Sequence, residues 1–249
     1  MFFGTPTDVG PDIEASVRAF DTSGPHATLD RRSMARRLGP SHPLGVKRVQ
    51  VGCGPHNALA DWWNVDVRRF PGVDEIMDVT QPWRWRDLEY VYAEHFLEHL
   101  ALDQALVFLE QAGNSLRPGG VMRLSTPNLE WVLATHFRVG PVDLETRLRE
   151  TLVLNRAFYG WGHRFIYSKE MLAHLLLGLG FPSVDFRSYG ESANPVLQGL
   201  ERHGDFQVNA GHPSVVIVEA TRGGAPVVTP ADLRQRLEDE FLQHVRFGH

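Results

Sequence analysis

The sequence predicts an α/β protein with a largely parallel sheet. Short apolar segments alternate with segments of helical periodicity, and tight turns rich in glycine follow several of them. The chain has 249 residues, 43% of them hydrophobic and 22% charged, which suits one large globular domain with additions. This composition excludes general disorder, a collagen-like fibre and a disulfide scaffold, since Cys53 is the one cysteine.

Five strands and one helix make up the first half of the predicted domain. The strands are expected at Arg48–Val51, Trp63–Val67, Glu75–Val79, Leu88–Ala93 and Val121–Ser125. A helix over about Leu102–Ser115 precedes the fifth strand, because its apolar residues recur at helical spacing. The residues Arg117–Gly120 are typical of a turn.

The second half is expected to be helical before the chain returns to the sheet. The predicted elements are helices at Glu130–Phe137 and Asp143–Phe158, a compact aromatic and polar segment at Gly160–Tyr167, a helix capped by Ser168 that ends near Gly178–Gly180, and strands at Val184–Tyr189 and Val215–Ala220.

Both ends of the chain are predicted to be helical additions. Residues 1–45 contain two helical segments, Asp12–Phe20 and Leu29–Leu38, and are interpreted as an arm or lid. Thr229–Phe247 is predicted to be an amphipathic helix capped by Thr229. Its apolar stripe docks either on its own domain or on a second subunit of a homodimer; the stripe consists of Leu233, Leu237, Phe241 and Val245. The predicted regions are 1–45, a domain at 46–222 with a substrate-binding insertion at about 126–167, and a tail at 223–249.

Charge and hydropathy narrow the range of partners. The net charge of −5 argues against a nucleic-acid partner. The longest apolar stretch, Met171–Phe181, falls short of the roughly 18 residues that a membrane span needs. Met1–Gly10 lacks the basic and hydrophobic regions of a signal peptide. We therefore expect a cytoplasmic protein without a membrane partner.

The strongest functional signal is the loop that follows the first strand. Gly52, Cys53 and Gly54 come directly after it, and Asp66 ends the second strand. Glycines at a strand's carboxyl end let the backbone approach a ligand, and a carboxylate on the next strand can accept both hydroxyls of a ribose. Asn57 replaces the third glycine of a dinucleotide fingerprint, and the spacing from Gly54 to Asp66 is too short for a crossover helix. The pattern therefore favours S-adenosylmethionine over NAD.

The chain resembles class I S-adenosylmethionine-dependent methyltransferases. It is most similar to a bacterial small-molecule subgroup, the methyltransferase type 11-like proteins, in four segments: Gly52–Pro55, Trp62–Asp66, Tyr92–His99 and Leu116–Gly120. The similarity continues through Gly162–Tyr167 and Tyr189–Ser192. It implies a Rossmann-like, seven-stranded sheet whose last strand runs antiparallel. Two positions depart from the subgroup's pattern, Gln50 in place of an acidic residue and His56 in place of a third glycine.

The resemblance also implies roles for individual residues. The cofactor-binding residues would be Gln50, Gly52, Cys53, Gly54, Asp66, Val67, Asp78, Val79, Glu94 and His95. The substrate-binding residues would be Asn128, Tyr159, Trp161, His163, Arg164 and Tyr167. If the acceptor must lose a proton, a histidine is the natural base near neutral pH, and we select His95 and His163 as candidate catalytic residues.

One competing motif concerns a metal. The residues His95–His99 match H-x-x-E-H, a zinc-peptidase pattern in which both histidines share a helix face. Because His95 directly follows a predicted strand, a helical zinc site is disfavoured, and we expect no metal.

The sequence thus predicts a biosynthetic methyltransferase acting on oxygen or nitrogen of a small polar acceptor. A sugar, an amino acid or a secondary-metabolite precursor fits this description. Two alternatives remain: a non-catalytic protein on the same fold that binds the cofactor or a partner, and methylation of a peptide or protein terminus.

Overall fold

The computed structural model describes residues 45–204 and 206–246. The strands are β1 Arg48–Val51, β2 Trp63–Asp66, β3 Glu75–Ile76, β4 Leu88–Glu94, β5 Leu116–Pro127, β6 Ser183–Arg187, β7 Val208–Asn209, β8 His212–Pro213 and β9 Val215–Thr221. The helices are α1 Leu102–Ser115, α2 Leu129–His136, α3 Leu144–Tyr159, α4 Lys169–Gly178, α5 Ala231–Leu237 and α6 Gln243–Arg246. Short 3₁₀ turns lie at Leu97–His99, Gly160–Gly162 and Pro195–Leu197.

Seven of the strands form one sheet in the order β3-β2-β1-β4-β5-β9-β6. The first five pair in parallel, whereas β9 runs antiparallel to both β5 and β6. The predicted α/β class, the seven strands and the antiparallel last strand are therefore confirmed.

A band of apolar residues crosses the sheet on one face, and we call it the apolar row. The paired residues are Val65, Val51, Ala93, Leu124, Val218 and Phe186. All but Phe186 are buried, and they belong to a core that also takes in apolar residues of α1, α4 and α5. Burial of this apolar surface is the main favourable term in folding.

The adjacent register, on the other face, carries polar residues, and we call it the polar row. Its members, paired in the same way, are Asn64, Gln50, Tyr92, Arg123, Glu219 and Asp185. Arg123 is fully buried, and it donates to Glu201 at 2.8 Å and to Glu219 at 2.6 Å. Part of the cover on this face comes from Leu197 and Leu200, which pack against Tyr92. The connection between β6 and β7 therefore covers the polar row, and it also supplies the carboxylate of Glu201 that pairs with Arg123.

Two local expectations need correction. Arg117–Gly120 is not a separate turn, because β5 begins at Leu116 and the irregularity is taken up as a register shift against β4. Gly119 has a left-handed φ of 79°, and its N–H donates to Arg222, so the strand continues through it. Thr229 does not cap the last helix. The N-cap is Pro230, and the hydroxyl of Thr229 donates to Glu110 instead.

The apolar stripe of the last helix docks on its own domain. Leu233 and Leu237 are buried in the main core, and the Phe241 ring lies 5.2 Å from that of Phe165. A π-helical turn at Glu238–Leu242 adds a residue to the period, so that Leu242 is buried while Val245 is 47% exposed. Residues 227–242 are thus packed as part of the domain.

The cap predicted at Ser168 is present, since its hydroxyl accepts the N–H of Met171 at 3.0 Å. Between β5 and α4 the chain passes through α2 and α3, and the substrate-binding insertion at about 126–167 stays a prediction. The predicted helices Asp12–Phe20 and Leu29–Leu38 lie outside the described residues. Within the described ranges, every helix is too short or too polar to cross a lipid bilayer.

Candidate functional site

The loop after β1 has the backbone conformation that its glycines predict. Gly52 and Gly54 have φ values of 67° and 58°, in the left-handed region that favours glycine. A β-carbon on Gly52 would overlap the ring of Phe96, whereas one on Gly54 would meet nothing within 4 Å. The loop therefore touches the chain beyond β4 on one side and opens to free space at Gly54.

The side chain of Gln50, on β1, hydrogen-bonds to the backbone of this loop. Its amide oxygen accepts the N–H of Leu59 at 2.9 Å, and its amide nitrogen donates to the carbonyl of Asn57 at 2.9 Å. Asn64 on the neighbouring strand shares the Leu59 N–H at 3.0 Å. Gln50, which stands where the subgroup has an acidic residue, is thus buried and fixes the backbone of residues 57–59 by two hydrogen bonds.

Asp66 joins the loop to β2. One carboxylate oxygen accepts the N–H of Gly54 at 3.0 Å, and the other accepts the N–H of Arg68 at 2.9 Å. The side chain is nearly buried, but each oxygen keeps a further lone pair. Asp66 therefore fixes the position of Gly54 whether or not it also meets a ribose.

Cys53 lies between the two glycines with its side chain buried. Burial, with the charge of Asp66 adding to it, raises the pKa of the Cys53 thiol to about 11. The thiol is neutral near pH 7 and is poorly nucleophilic there. Cys53 therefore contributes its backbone and a small buried side chain to the loop, rather than a reactive thiol.

The residues expected beside the adenosine part differ in exposure. Val67 is 66% exposed, and Asp78 is also exposed, with one carboxylate oxygen accepting the N–H and hydroxyl of Thr80 at 2.9 and 2.7 Å. These bonds lower the pKa of Asp78. Val79 is buried, and its carbonyl accepts the indole N–H of Trp83 at 2.8 Å.

The tip of β4 carries Glu94 and His95. Glu94 is buried and accepts the backbone N–H groups of Arg202 and His203 at 2.8 and 3.0 Å. Burial alone would raise the pKa of Glu94, but these bonds and the ring of His203 outweigh it, and the pKa is lowered. His95 has an unusual φ of 45°, and its ring stacks on His203 with centroids 3.9 Å apart.

His95 also pairs with Glu98, its Nδ1 atom lying 3.1 Å from a carboxylate oxygen. The second oxygen of Glu98 accepts the hydroxyl of Thr126 at 3.1 Å. Glu98 is completely buried. Burial would raise the pKa of Glu98, yet the hydrogen bond from His95 and the charges of His95 and His99 lower it overall.

The segment Gly160–Tyr167 lies directly against Glu98. The N–H groups of Arg164 and Phe165 both donate to the carbonyl of Glu98, at 2.7 and 3.2 Å. This docking brings the ring of His163 to the ring of His99, with centroids 5.1 Å apart. Burial lowers the pKa of His99; the carboxylate of Glu98 opposes this shift and His163 adds to it.

The other predicted substrate residues divide into exposed and buried groups. Tyr159 is 76% exposed, Trp161 is 52% exposed, and Arg164 is also exposed. By contrast, Asn128 is buried as the N-cap of α2 and donates to the Pro213 carbonyl, so it is occupied structurally. Tyr167 is fully buried, and burial together with the charge of Glu98 raises the pKa of its phenol above the usual range.

Sequence reasoning chose His95 and His163 but did not connect Glu98, His99 and Thr126 with them. The H-x-x-E-H spacing was the available signal. The expectation that His95 directly follows a strand is confirmed, since β4 ends at Glu94, and a 3₁₀ turn over Leu97–His99 comes next. In that geometry Glu98 and His99 converge with His163, a neighbour that lies far along the chain.

The strand order decides the fold. β1 lies between β2 and β4, so the sheet reverses direction at the loop that holds Gly52 and Gly54, and β9 is inserted antiparallel between β5 and β6. This is the class I methyltransferase fold. Ligands of open α/β sheets bind outside the carboxyl ends of the strands at such a reversal.

Comparison with solved structures returns proteins of this fold at low similarity. The methyltransferase domain of bacterial CtHen1 is 14% identical over 71% of this chain and 90% of its own, with a TM-score of 0.41. The S-adenosylmethionine-dependent methyltransferase SibL is 18% identical over 72% of this chain, which spans about half (51%) of SibL, with a TM-score of 0.43. A possible histamine N-methyltransferase from Thermotoga maritima is 16% identical, covers 76% of this chain and 86% of its own, and has a TM-score of 0.45.

No protein-family model and no curated protein matches the sequence. The strand order, rather than this similarity, identifies the fold.

Proposed function

We propose that the chain is an S-adenosylmethionine-dependent methyltransferase that methylates an oxygen or nitrogen of a small polar acceptor. The observation that carries this proposal is the loop at the reversal point of the sheet. Gly52 and Gly54 are both left-handed there, and Asp66 from the next strand accepts the N–H of Gly54 at 3.0 Å. A backbone held open in this way suits a close-approaching cofactor.

The residues around the loop fit the proposed cofactor. The space over Gly54 is free, and the exposed Val67 and Asp78 follow β2 and β3 at the same, carboxyl edge of the parallel strands. When bound, the cofactor supplies a sulfonium methyl group for in-line displacement. The contribution of the protein is to align the acceptor atom with that methyl group.

His95 is proposed to accept the proton of the acceptor. Its Nδ1 atom faces the Glu98 carboxylate at 3.1 Å, so Nδ1 carries the proton and Nε2 is left as the basic lone pair. Within the described residues, Nε2 is buried and makes no hydrogen bond. A histidine oriented by a carboxylate is a recurrent arrangement for a general base.

The exposed side chains of Tyr159, Trp161 and Arg164 are proposed to contact the acceptor. Trp161 has a left-handed φ of 56° and stacks toward His163 with centroids 5.7 Å apart. An aromatic surface next to a guanidinium suits a sugar, an amino acid or a secondary-metabolite precursor that carries a carboxylate or phosphate.

Calorimetric titration with S-adenosylmethionine and S-adenosylhomocysteine tests the cofactor. Asp66→Ala should weaken binding by about 1–3 kcal/mol, because Gly54 loses its charged acceptor. Asp61→Ala, at an exposed aspartate near the far end of the same connection, seven residues after Gly54, is the matched control and should bind as the wild type does. Absence of binding to the wild type would contradict the proposal.

Turnover separates the proposed enzyme from its alternatives. Release of S-adenosylhomocysteine is followed with pools of sugars, amino acids, small metabolites and peptides. His95→Gln removes the proposed base, so it should lose turnover, while cofactor binding should fall less than it does in Asp66→Ala. Cofactor binding without turnover in any pool would favour a non-catalytic binding protein, and turnover confined to peptides would favour methylation of a peptide or protein terminus.

A further inference from the structure

Three ligand-type side chains converge beyond the tip of β4. One carboxylate oxygen of Glu98 and one imidazole nitrogen each of His99 and His163 all lie within 4.8 Å of one another. Atoms bonded to a common ion at about 2.1 Å are separated by roughly 3–4 Å, so small side-chain rotations would bring all three onto one ion.

Hydrogen bonds to neighbouring residues hold two of the three side chains in place, those of His163 and Glu98. The Nδ1 atom of His163 lies 2.8 Å from the carbonyl oxygen of Ala157, so it carries the proton and leaves Nε2 as the donor atom. Glu98 is held by His95 at 3.1 Å and by Thr126 at 3.1 Å. Metal-bound histidines usually donate their second nitrogen to a carbonyl or carboxylate in this way, and ligating carboxylates are likewise hydrogen-bonded.

Exposure of the cluster is graded. Glu98 is fully buried, whereas His99 and His163 are half-buried. A closed structural site would surround the ion with four protein ligands, but three ligands at the margin of the protein leave positions for an outside molecule.

We propose that Glu98, His99 and His163 bind one divalent transition-metal ion of the first row. Two imidazoles and one carboxylate suit the range from Mn²⁺ to Zn²⁺, and they do not suit Ca²⁺, which prefers oxygen ligands throughout. This proposal replaces the expectation, drawn from the sequence, that no metal is bound.

The position of the cluster assigns it a role in the proposed methyl transfer, on which this part of the inference rests. Phe96, two residues before Glu98, packs against Gly52 of the loop, so the ion would lie next to the cofactor side of the sheet. The open positions suit an acceptor that presents a hydroxyl oxygen, because a metal ion lowers the pKa of such a hydroxyl. The acceptor class is therefore an alcohol or polyol, and the product is a methyl ether.

The proposed methyl transfer from sulfur to the acceptor oxygen needs no oxidant or reductant. The acceptor hydroxyl gives its proton to His95, and its oxygen forms a bond to the methyl carbon. The bond from that carbon to sulfur breaks, and its electron pair remains on sulfur in a neutral thioether. Because His163 is a metal ligand in this scheme, His95 is assigned as the base that accepts the proton.

Metal binding is measured on the full chain, made without a histidine tag and stripped with a chelator. Mn²⁺, Co²⁺ and Zn²⁺ are titrated separately by calorimetry, and metal content is measured after dialysis. We expect one equivalent of at least one of these ions, and Co²⁺ should give a visible absorption spectrum with nitrogen ligation.

His99→Gln and His163→Gln should each weaken binding by more than the roughly 10–100-fold that loss of an outer-shell partner costs, since each removes a direct ligand. His174→Gln, an exposed histidine on α4, is the matched control and should bind as the wild type does. Thermal unfolding of each variant shows whether it is folded. If a variant is unfolded, histidine side-chain NMR of the wild type replaces it: the resonances of His99 and His163 should shift on adding Zn²⁺, and that of His174 should not.

The outcomes are distinct from those of the cofactor titration. A stoichiometry near zero for all three ions, or equal affinity in the wild type and both ligand variants, overturns the metal site even if S-adenosylmethionine binds. One equivalent of metal with the expected losses supports the site even if S-adenosylmethionine does not bind. Faster turnover of amines than of alcohols by the loaded protein would overturn the assignment of the acceptor class.

Discussion

The polar row and the apolar row cross the same strands one register apart, yet different interactions stabilise them: hydrogen bonds and ion pairs in the polar row, and apolar packing in the apolar row. The apolar row is stabilised by contacts that any side chain of similar volume could provide. The polar row depends on named partners: Arg123 on Glu201 and Glu219, and Gln50 on the backbone of Asn57 and Leu59. We therefore expect the apolar row to tolerate replacement by other apolar side chains of similar volume, and the polar row to require its particular residues.

The largest effect is expected in the polar row. Arg123→Ala leaves the buried carboxylates of Glu201 and Glu219 without their shared cation, which should lower the free energy of unfolding by about 3–5 kcal/mol. Urea denaturation followed by circular dichroism measures it.

The triple replacement Arg123→Met, Glu201→Leu and Glu219→Leu is the control for this experiment. It removes these three charges and leaves Arg187, which also donates to Glu219 at 3.0 Å, as a partly exposed cation that water can solvate. It should therefore recover most of the lost stability. If Arg123→Ala costs less than about 1 kcal/mol, the two rows do not differ as described.

In the apolar row, Leu124→Ala should cost about 3 kcal/mol, because it leaves a cavity in a core position that is 1% exposed. Leu177→Ala, on the outer face of α4 and 53% exposed, is the matched control and should change stability by less than about 0.5 kcal/mol. Leu124→Met should be milder, and a loss from it as large as that from alanine would mean that the apolar row also requires specific residues.

Gln50→Glu sharpens the comparison inside the loop that the polar row supports. The new carboxylate would face the Asn57 carbonyl without a proton to donate, at a cost of about 1–3 kcal/mol at pH 7. Gln198→Glu is the control, since Gln198 donates to a carbonyl in the same way but is exposed. Equal effects of the two substitutions in denaturant melts would remove the special role of Gln50.

The smallest effect is chemical and concerns Cys53, in the loop directly after the β1 members of both rows. Its thiol pKa of about 11, against an ordinary value of 9.0, should slow alkylation at pH 8 by about 100-fold relative to the unfolded chain. The folded thiol holds its proton more tightly, so its contribution to stability is complete below pH 9 and is lost as the pH rises toward 11. Because the chain has one cysteine, total labelling reports on Cys53 directly. Rapid labelling of the folded protein at pH 8 would contradict this.

The two rows also explain what could be predicted from the sequence. The apolar segments around Val51 and Val218 predicted their strands, since an apolar run of that length is typical of a buried strand. The polar row was not predicted, because a polar residue within a strand usually indicates a solvent face. Arg123 is instead buried against Glu201, and nothing local to VMRLS indicates that partner.

The candidate site divides in the same way. The loop glycines and Asp66 could be predicted from local spacing. Convergence of His99 with His163 could not, because it depends on the backbone of residues 164 and 165 docking on Glu98. The cap predicted at Thr229 was wrong for a similar reason: Glu110 on another helix accepts both the N–H and the hydroxyl of Thr229 and holds that residue against α1.

The insertion of β9 between β5 and β6 has a consequence for synthesis on the ribosome. The strands β1 to β5 emerge first and can pair among themselves, but β5 then presents an open hydrogen-bonding edge until residues 215–221 have been made. Open edges of this kind attract other chains. The nascent protein is therefore most prone to aggregation during translation of the stretch from Asn128 to Ser214, and a ribosomal pause there would prolong that exposure.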